Sequence, residues 1–328
     1  MRWPTPVLFV LVGVLWGGSF VAIDAGLPFF PPMLFAGIRY ILAGALVLVY
    51  ATLLSGRWLP TSKGDVASIG IAGVFIIAGH HAFLYFSIEH ISGAVASIVV
   101  SLSPVLTAVF ASLILAETDI TIPKIAGVGL GFAGVFVISD VGIAGVTSTN
   151  VLGLGLALVG TASFAFGSVA GRPVRTDLPV SAMQGWAMLL GATILTCAGF
   201  LRGETLGSIV WTPVAAGSLA FLVLGPGTVA FLLFFKMLDR IGPLETNLIA
   251  YFEPVVATVL AWAVLGEVID TMTALGFFLI LFGFILVKHR VIGSRARRQL
   301  AAWTSWTPEG NTPSQSTDAS DVQPPQGD

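Results

Sequence analysis

The chain has 328 residues, 56% of them hydrophobic and only 10% charged, with a net charge of −2 and a mean hydropathy of +0.95. A soluble domain carries about 25% charged residues, so the composition excludes a water-soluble globular class, and the scattered basic residues leave no footprint for nucleic acid. The lone Cys197 excludes an internal disulfide, no Cys/His set has metal-ligand spacing, and no glycine loop cradles a phosphate, so neither metal nor cofactor is expected.

About 20 apolar residues cross a bilayer, and on that rule spans are predicted at 7–24, 32–54, 66–87, 93–115 and 122–139. A second set follows at 151–170, 180–200, 213–237, 243–265 and 272–290. No small-residue cleavage site precedes Asp24, so the first span is expected to be retained rather than removed as a signal peptide. After residue 290, Arg295, Arg297 and Arg298 form a basic cluster suited to anionic headgroups. The Ser, Thr, Pro and Gln-rich stretch to Asp328 has no apolar periodicity and is expected to be disordered. The predicted plan is therefore a short N-terminus at 1–6, five spans within 7–140, five within 151–290 and a polar tail at 291–328.

Basic residues orient these spans. With the N-terminus inside, the cytoplasmic side receives Arg2, Arg57, Lys63, Lys124, Arg172, Arg175, Lys236, Arg240, Lys288, Arg290, Arg295, Arg297 and Arg298, and the outside only Arg202. Arg39 lies within a span. Such a bias sets topology, placing both termini in the cytoplasm.

The two sets repeat one text. Ser103-Pro104 returns as Glu253-Pro254 and Leu115-Ala116-Glu117 as Leu265-Gly266-Glu267, both 150 positions on, and the pair Gly127 and Gly134 returns as Gly276 and Gly283, 149 on. That period is too long for a solenoid of 20–50-residue units. Because each copy holds an odd number of spans, the second must enter the membrane upside down. Inverted repeats about an axis in the membrane plane are a transporter design, with the binding site near the midplane between halves. The fold expected is thus an all-α membrane protein of ten transmembrane helices in two inverted five-helix repeats.

The same residues resemble a known family. Ser101-Leu102-Ser103-Pro104-Val105 through Glu117, Tyr251-Phe252-Glu253-Pro254-Val255 through Glu267, Trp16-Gly17 and Arg39-Tyr40-Ile41-Leu42-Ala43 are similar to the pattern of the drug/metabolite transporter superfamily with two EamA repeats. Ala116 stands where that pattern usually has glycine. The resemblance runs from about residue 7 to residue 290 and implies export or exchange of small metabolites, amino acids among them, without specifying which.

Several residues are candidates for substrate binding or coupling. Glu253 is a carboxylate at mid-span, which must pair, reach water or take a proton; the matching residue of the first repeat is uncharged Ser103. A role in coupling, with a proton as the coupling ion, stands against a structural hydrogen bond. Arg39 lies seven residues, roughly 10 Å, into its span and either pairs with Asp24 or Glu253 or meets a substrate carboxylate. His80 and His81 point about 100° apart, and His81 shares a face with Tyr85, opposite the counterparts Phe231 and Phe235. Trp16, Gln184, Trp186, Asn247 and Tyr251 complete the candidate lining, with simple packing as the alternative for each aromatic. Pro104 and Pro254 each deprive a carbonyl, of Val100 or Ala250, of its helical partner, giving either a fixed kink or a gating hinge. The glycines spaced by four at Gly13/Gly17, Gly127/Gly131 and Gly167/Gly171, and by seven at Gly153, Gly160 and Gly167, read as packing seams.

The function expected is secondary transport of a small organic metabolite across the cell membrane by alternating access, outward or in exchange. An intramembrane enzyme would need a nucleophile and base that the sequence does not supply, and a membrane scaffold would need no mid-span Glu253. Nothing in the sequence specifies an oligomeric state. The orientation has a direct test: reporters fused after residues 60 and 173 should read cytoplasm and those after 146 and 206 the exterior, and an external signal at 173 would overturn both topology and inversion.

Overall fold

The computed structural model describes residues 4–115, 122–138, 148–234, 237 and 249–286. Among these, ten helical segments follow one another: α1 (Thr5–Gly26), α2 (Pro32–Ser55), α3 (Lys63–Ile88), α4 (Gly93–Ile114), α5 (Ile122–Ile138), α6 (Ser148–Ala170), α7 (Val180–Leu201), α8 (Pro213–Phe234), α9 (Ile249–Leu265) and α10 (Thr271–Leu286). Seven are long and apolar enough to cross a membrane; α5, α9 and α10 are shorter, and each abuts residues outside the described set. The predicted C-terminal tail also lies outside it.

Helix ends follow local chemistry. Proline at the first turn starts α1, α2 and α8, where its missing N–H costs nothing. Ser62 caps α3 in a capping box with Asp65, and Thr212 caps α8 by accepting the Ala215 N–H. These two caps stand 150 residues apart, the offset already seen in the sequence. Asp65 also ties the two halves together at this end, accepting from Thr176 at 2.6 Å and from Arg57 at 3.1 Å. Gly266 closes α9 with φ of 73°: its N–H reaches the Trp262 carbonyl, the bond of the αL cap that favours glycine, and the Glu267 N–H reaches back to the Ala261 carbonyl. The Leu-Gly-Glu text is thus a helix stop. Its counterpart at Ala116 lies outside the described residues.

The two prolines behave differently. In α4 the helix breaks at Ser101 and Leu102 and restarts at Ser103, with Pro104 in the new first turn; α9 runs unbroken through Pro254. Matching prolines suggested a kink or a hinge in each helix, and the interruption of the α-helix belongs to the first alone. At the α4 break the Ser101 hydroxyl donates to the Ile98 carbonyl at 2.6 Å, locally satisfying backbone that lipid would leave bare.

A feature absent from the sequence reading is that α3 and α8 each contain a π-helical stretch, Ala72–Gly79 and Gly225–Ala230, overlapping when 150 is subtracted from the second. In α8 the cause is Pro226, which removes an N–H from the ladder and shifts it to wider bonds; Thr228 then donates to the Val223 carbonyl at 2.8 Å. Each stretch is held by the first helix of the opposite half. Ser163 of α6 donates to the Phe75 carbonyl at 2.8 Å, and the Trp16 indole N–H of α1 donates to the Pro226 carbonyl at 3.3 Å.

Glycine seams set the helix pairs. Gly153, Gly160 and Gly167 all face α3, at the Ser87 carbonyl, Phe83 and Phe75, so α6 and α3 run antiparallel. Gly13 and Gly17 meet Phe252 and Val256, so α1 and α9 run parallel. On α2 and α7, Gly37 meets Thr196 while Gly185 meets Leu48, an antiparallel pair. Between α5 and α10, Gly134 lies on the Gly276 carbonyl and Gly283 on the Gly127 carbonyl. Since Gly127 corresponds to Gly276 and Gly134 to Gly283, that contact is the same one made twice with the partners exchanged.

Backbones this close leave no room for a Cβ. Gly283→Val should therefore lower thermal stability in detergent by several degrees, on the order of 1–3 kcal/mol for overpacking. Gly129, whose Cβ direction is open, should tolerate alanine with no loss. Fluorescence-monitored unfolding of the two variants checks both.

Candidate functional site

The largest apolar cluster gathers side chains from α1, α2, α3, α4, α7, α8 and α9, including Phe20, Phe35, Tyr40, Tyr85, Ala96, Met188, Leu222 and Ala257. Polar chemistry sits in its midst. Arg39, His80 and His81 are all buried beside it, and Tyr40 and Tyr85 are fully enclosed.

α2 delivers two of these groups. Its first N–H groups, of Met33 and Leu34, are accepted by the Glu204 carboxylate at 3.3 and 2.9 Å, an anchor from the connection after α7. The next residue, Phe35, stacks on Phe30 at 4.4 Å and meets Tyr85 edge to face at 5.6 Å. Arg39 follows on the next turn. Its Nη1 donates to the Tyr85 hydroxyl at 3.3 Å and its guanidinium lies 4.8 Å from the centre of the Tyr40 ring, a cation–π contact.

α3 supplies the histidines immediately after its π-helical stretch. As adjacent positions on a helix require, the rings diverge: His80 reaches the Gly160 carbonyl of α6 at 3.0 Å, and His81 turns to α2. The Nδ1 of His81 faces the Ile77 carbonyl at 2.9 Å and must therefore carry the hydrogen. Its Nε2 is then an acceptor for the Tyr40 hydroxyl, at 2.5 Å. His81 is thereby held as the neutral tautomer with both nitrogens engaged. Tyr40 was quoted in the sequence motif but not counted as a site residue; only the fold shows that it completes His81.

Arg39 does not form the expected ion pair. The Arg57–Asp65 bridge is the salt bridge found among the described residues; Asp24 instead accepts the Gly93 N–H at 2.7 Å, fixing the start of α4. Arg39 Nε is buried without a hydrogen-bond partner. Burial, together with the nearby Asp24, pushes the Glu267 carboxyl above its ordinary range.

Glu253 is 8% exposed and has no hydrogen bond or ion pair among the described residues. It precedes Ala257 of the central cluster by one turn on the same face of α9. Helix contacts fix its level. Ala43 packs on Gly227, Leu15 on Gly225, and Phe252 on Gly13, which ties the level of Ala43 to that of Phe252. Arg39 stands one turn from Ala43, so the backbones at Arg39 and Glu253 lie within about one turn, or 5.4 Å, in depth. Tyr251 points elsewhere, as its angular separation from Glu253 on the helix implied. It packs on Phe284 at 4.8 Å with α4 and α6 nearby, its hydroxyl unpartnered.

The remaining candidates scatter. Trp16 packs on Phe231 and Phe234 and holds the Pro226 carbonyl, which makes it a brace for α8. Trp186 stacks with Trp58 and donates to its carbonyl at 2.8 Å in a separate cluster with Ala51 and Ile69. Gln184 is buried with an unpartnered side-chain nitrogen. Ser103 is buried, next to the α4 break. Asn247 and Phe235 lie outside the described residues. The fold thus brings together Arg39, Tyr40, His81 and Tyr85, sets Glu253 at nearly the same depth, and leaves Trp186 apart.

The pattern of the EamA-like transporter family matches residues 3–140 and again 151–288. The chain is 30% identical over 284 residues to the uncharacterized inner membrane transporter YedA of Escherichia coli, covering 85% of this chain and 89% of that protein. It is 27% identical to an uncharacterized transporter of Archaeoglobus fulgidus, over 87% of this chain and 99% of that one, and 27% identical to the uncharacterized transporter YvbV of Bacillus subtilis, over 89% and 94%. A solved crystal structure with 22% identity superposes with a TM-score of 0.62 over 90% of this chain and 98% of its own, a likeness of fold.

The hydrogen bond to His81 has a measurable consequence. Tyr40→Phe leaves a buried imidazole nitrogen unsatisfied, which costs about 1–3 kcal/mol. Thr193→Ala, which removes an exposed hydroxyl bonded to its own helix, should change stability little. Parallel thermal unfolding of both variants should therefore show a clear loss only for Tyr40→Phe.

Proposed function

The chain belongs to the EamA-like transporter family, and from that premise we propose that it is a secondary transporter of a small organic metabolite, an amino acid or related compound, working by alternating access. The membrane is the cell membrane, the direction outward or in exchange, and both termini face the cytoplasm. The ten helical segments are read as ten spans in two inverted repeats of five.

The observation that carries this reading is the exchanged contact between α5 and α10. Gly134 on Gly276 and Gly283 on Gly127 is one contact repeated with its partners swapped, on helices that run antiparallel. Two equivalent helices so related imply a pseudo-two-fold axis across the helix direction, the arrangement in which substrate sits at mid-membrane between halves. The parallel pairing of α1 with α9 and the antiparallel pairings of α2 with α7 and α3 with α6 agree with alternating up and down threading.

Within this reading the central polar set is the binding region. Arg39, His81 and Tyr85 form one wall, and Glu253 approaches from α9 of the other repeat. Tyr251, Gln184 and Asn247 are secondary candidates for substrate contact, while Trp16 and Trp186 support the frame. The α4 break at Pro104 is the better placed of the two proline hinges, since α9 passes Pro254 without interruption. Glu253 is the candidate coupling group, because an acid without a partner in hydrocarbon is stable chiefly when it can take up a proton or reach water.

Uptake and exchange by proteoliposomes, across a panel of amino acids and related metabolites with and without a pH gradient, tests the reading as a whole. Within it, Glu253→Gln should preserve the fold and substrate exchange yet abolish gradient-driven transport, since the amide keeps the shape of the neutral acid but cannot carry a proton. Ser103→Ala at the equivalent position should leave coupling intact. Gradient-driven flux at the wild-type rate in Glu253→Gln would reduce this glutamate to a structural residue.

A further inference from the structure

We propose that the Arg39 guanidinium is the anchor for a carboxylate on the transported compound, so that the substrate class is a compact organic molecule with one free carboxylate group. This rests on the transport reading above and goes further by naming what the substrate must carry.

Arg39 is 3% exposed, yet its polar contacts are few. A guanidinium has five N–H donors; here one reaches the Tyr85 hydroxyl at 3.3 Å, Nε has no partner, and the flat face lies over Tyr40. Buried charges in proteins are ordinarily paired, because removing an ion from water costs several kcal/mol that only a close counter-charge offsets. No carboxylate among the described residues lies within ion-pair distance of Arg39. The neighbours cannot substitute: His81 has both ring nitrogens engaged, by Ile77 and Tyr40, and the Tyr40 hydroxyl is committed to His81.

The chemistry that completes such a group is a planar anion. Guanidinium and carboxylate meet as a fork, two parallel N–H···O bonds that a neutral ligand cannot reproduce. The count of charges narrows it further. Among the described residues Arg39 is the buried Lys or Arg, so the site offers one full positive charge, which matches a monocarboxylate better than a phosphate dianion. Tyr40 and Tyr85 contact the guanidinium and Phe35 meets the Tyr85 ring edge to face, so the surroundings of the anchored carboxylate are aromatic and suit a body with apolar surface. Access follows when the halves part, as alternating access requires.

The test uses the purified full-length chain and, as probes, the L-amino acids and simple aliphatic monocarboxylates, each beside its carboxamide. Binding is read by calorimetry and flux in proteoliposomes. At least one free carboxylate should bind, with its amide at least tenfold weaker; Arg39→Lys should weaken that binding at least tenfold, and Arg39→Gln should remove it. Should Arg39→Gln fold poorly, phenylglyoxal modification of Arg39 in the wild-type protein, followed by mass spectrometry, should be slowed by the binding carboxylate and not by its amide. Equal binding of acid and amide, full affinity in Arg39→Lys, no protection of Arg39, or no carboxylate bound at all would each overturn the proposal. Carboxylate binding without flux would instead sink the transport reading and leave the anchor standing; flux of an uncharged compound, undiminished in Arg39→Lys, would do the reverse.

Discussion

Backbone polar groups in hydrocarbon have no water to turn to, and the rest of this structure is arranged around meeting that demand. Where the helical ladder is widened in α3 and α8, carbonyls are met by donors from the far half: Ser163 of α6 reaches Phe75, and Trp16 of α1 reaches Pro226. The first helix of each repeat is thereby bound to the third helix of the other. Local irregularity and global interlocking meet in these two bonds, since each places a donor of one half on a widened carbonyl of the other.

The same constraint governs how the helices approach. Lipid supplies little hydrophobic force between helices, so close contact depends on small residues and on side-chain hydrogen bonds. The stripe Gly153, Gly160 and Gly167 lets α6 lie against α3, which brings the Gly160 carbonyl within reach of His80 and orients that ring away from His81. His81 is left to face α2, where Tyr40 meets it. Glycine spacing on one helix therefore decides which way a histidine on another helix points.

Charge follows a parallel logic at higher cost. Asp65 and Asp24 are each spent on helix starts, accepting backbone N–H groups, and Glu204 does the same for α2. These acids are structural. Arg39 and Glu253 are the two buried charged side chains left without an ionic partner among the described residues, and they come from opposite repeats at nearly one depth. A transporter has reason to keep such groups uncommitted, because a ligand or a proton can then supply the missing partner and draw on the unmet interaction.

The repeat and the seven long apolar spans were legible in the sequence, because each depends on local chemistry: a recurring text and apolar length. Glu253 and Arg39 also stood out, since a charge in an apolar run is conspicuous whatever surrounds it. What the sequence could not decide was partnership. It left Arg39 a choice among Asp24, Glu253 and a substrate carboxylate, of which Asp24 turned out to hold the start of α4; it set Trp186 beside the central groups when it stacks on Trp58 in a separate cluster, and it missed the hydroxyl of Tyr40 that fixes His81. The prolines matched in the text, yet α4 breaks at its proline and α9 does not, and the paired π-helical stretches left no local trace in α3. Those outcomes were settled by tertiary structure because they turn on which helix lies opposite, and hydrogen bonds of a few ångströms are decided by helix rotation and register that residues far apart in the chain impose together.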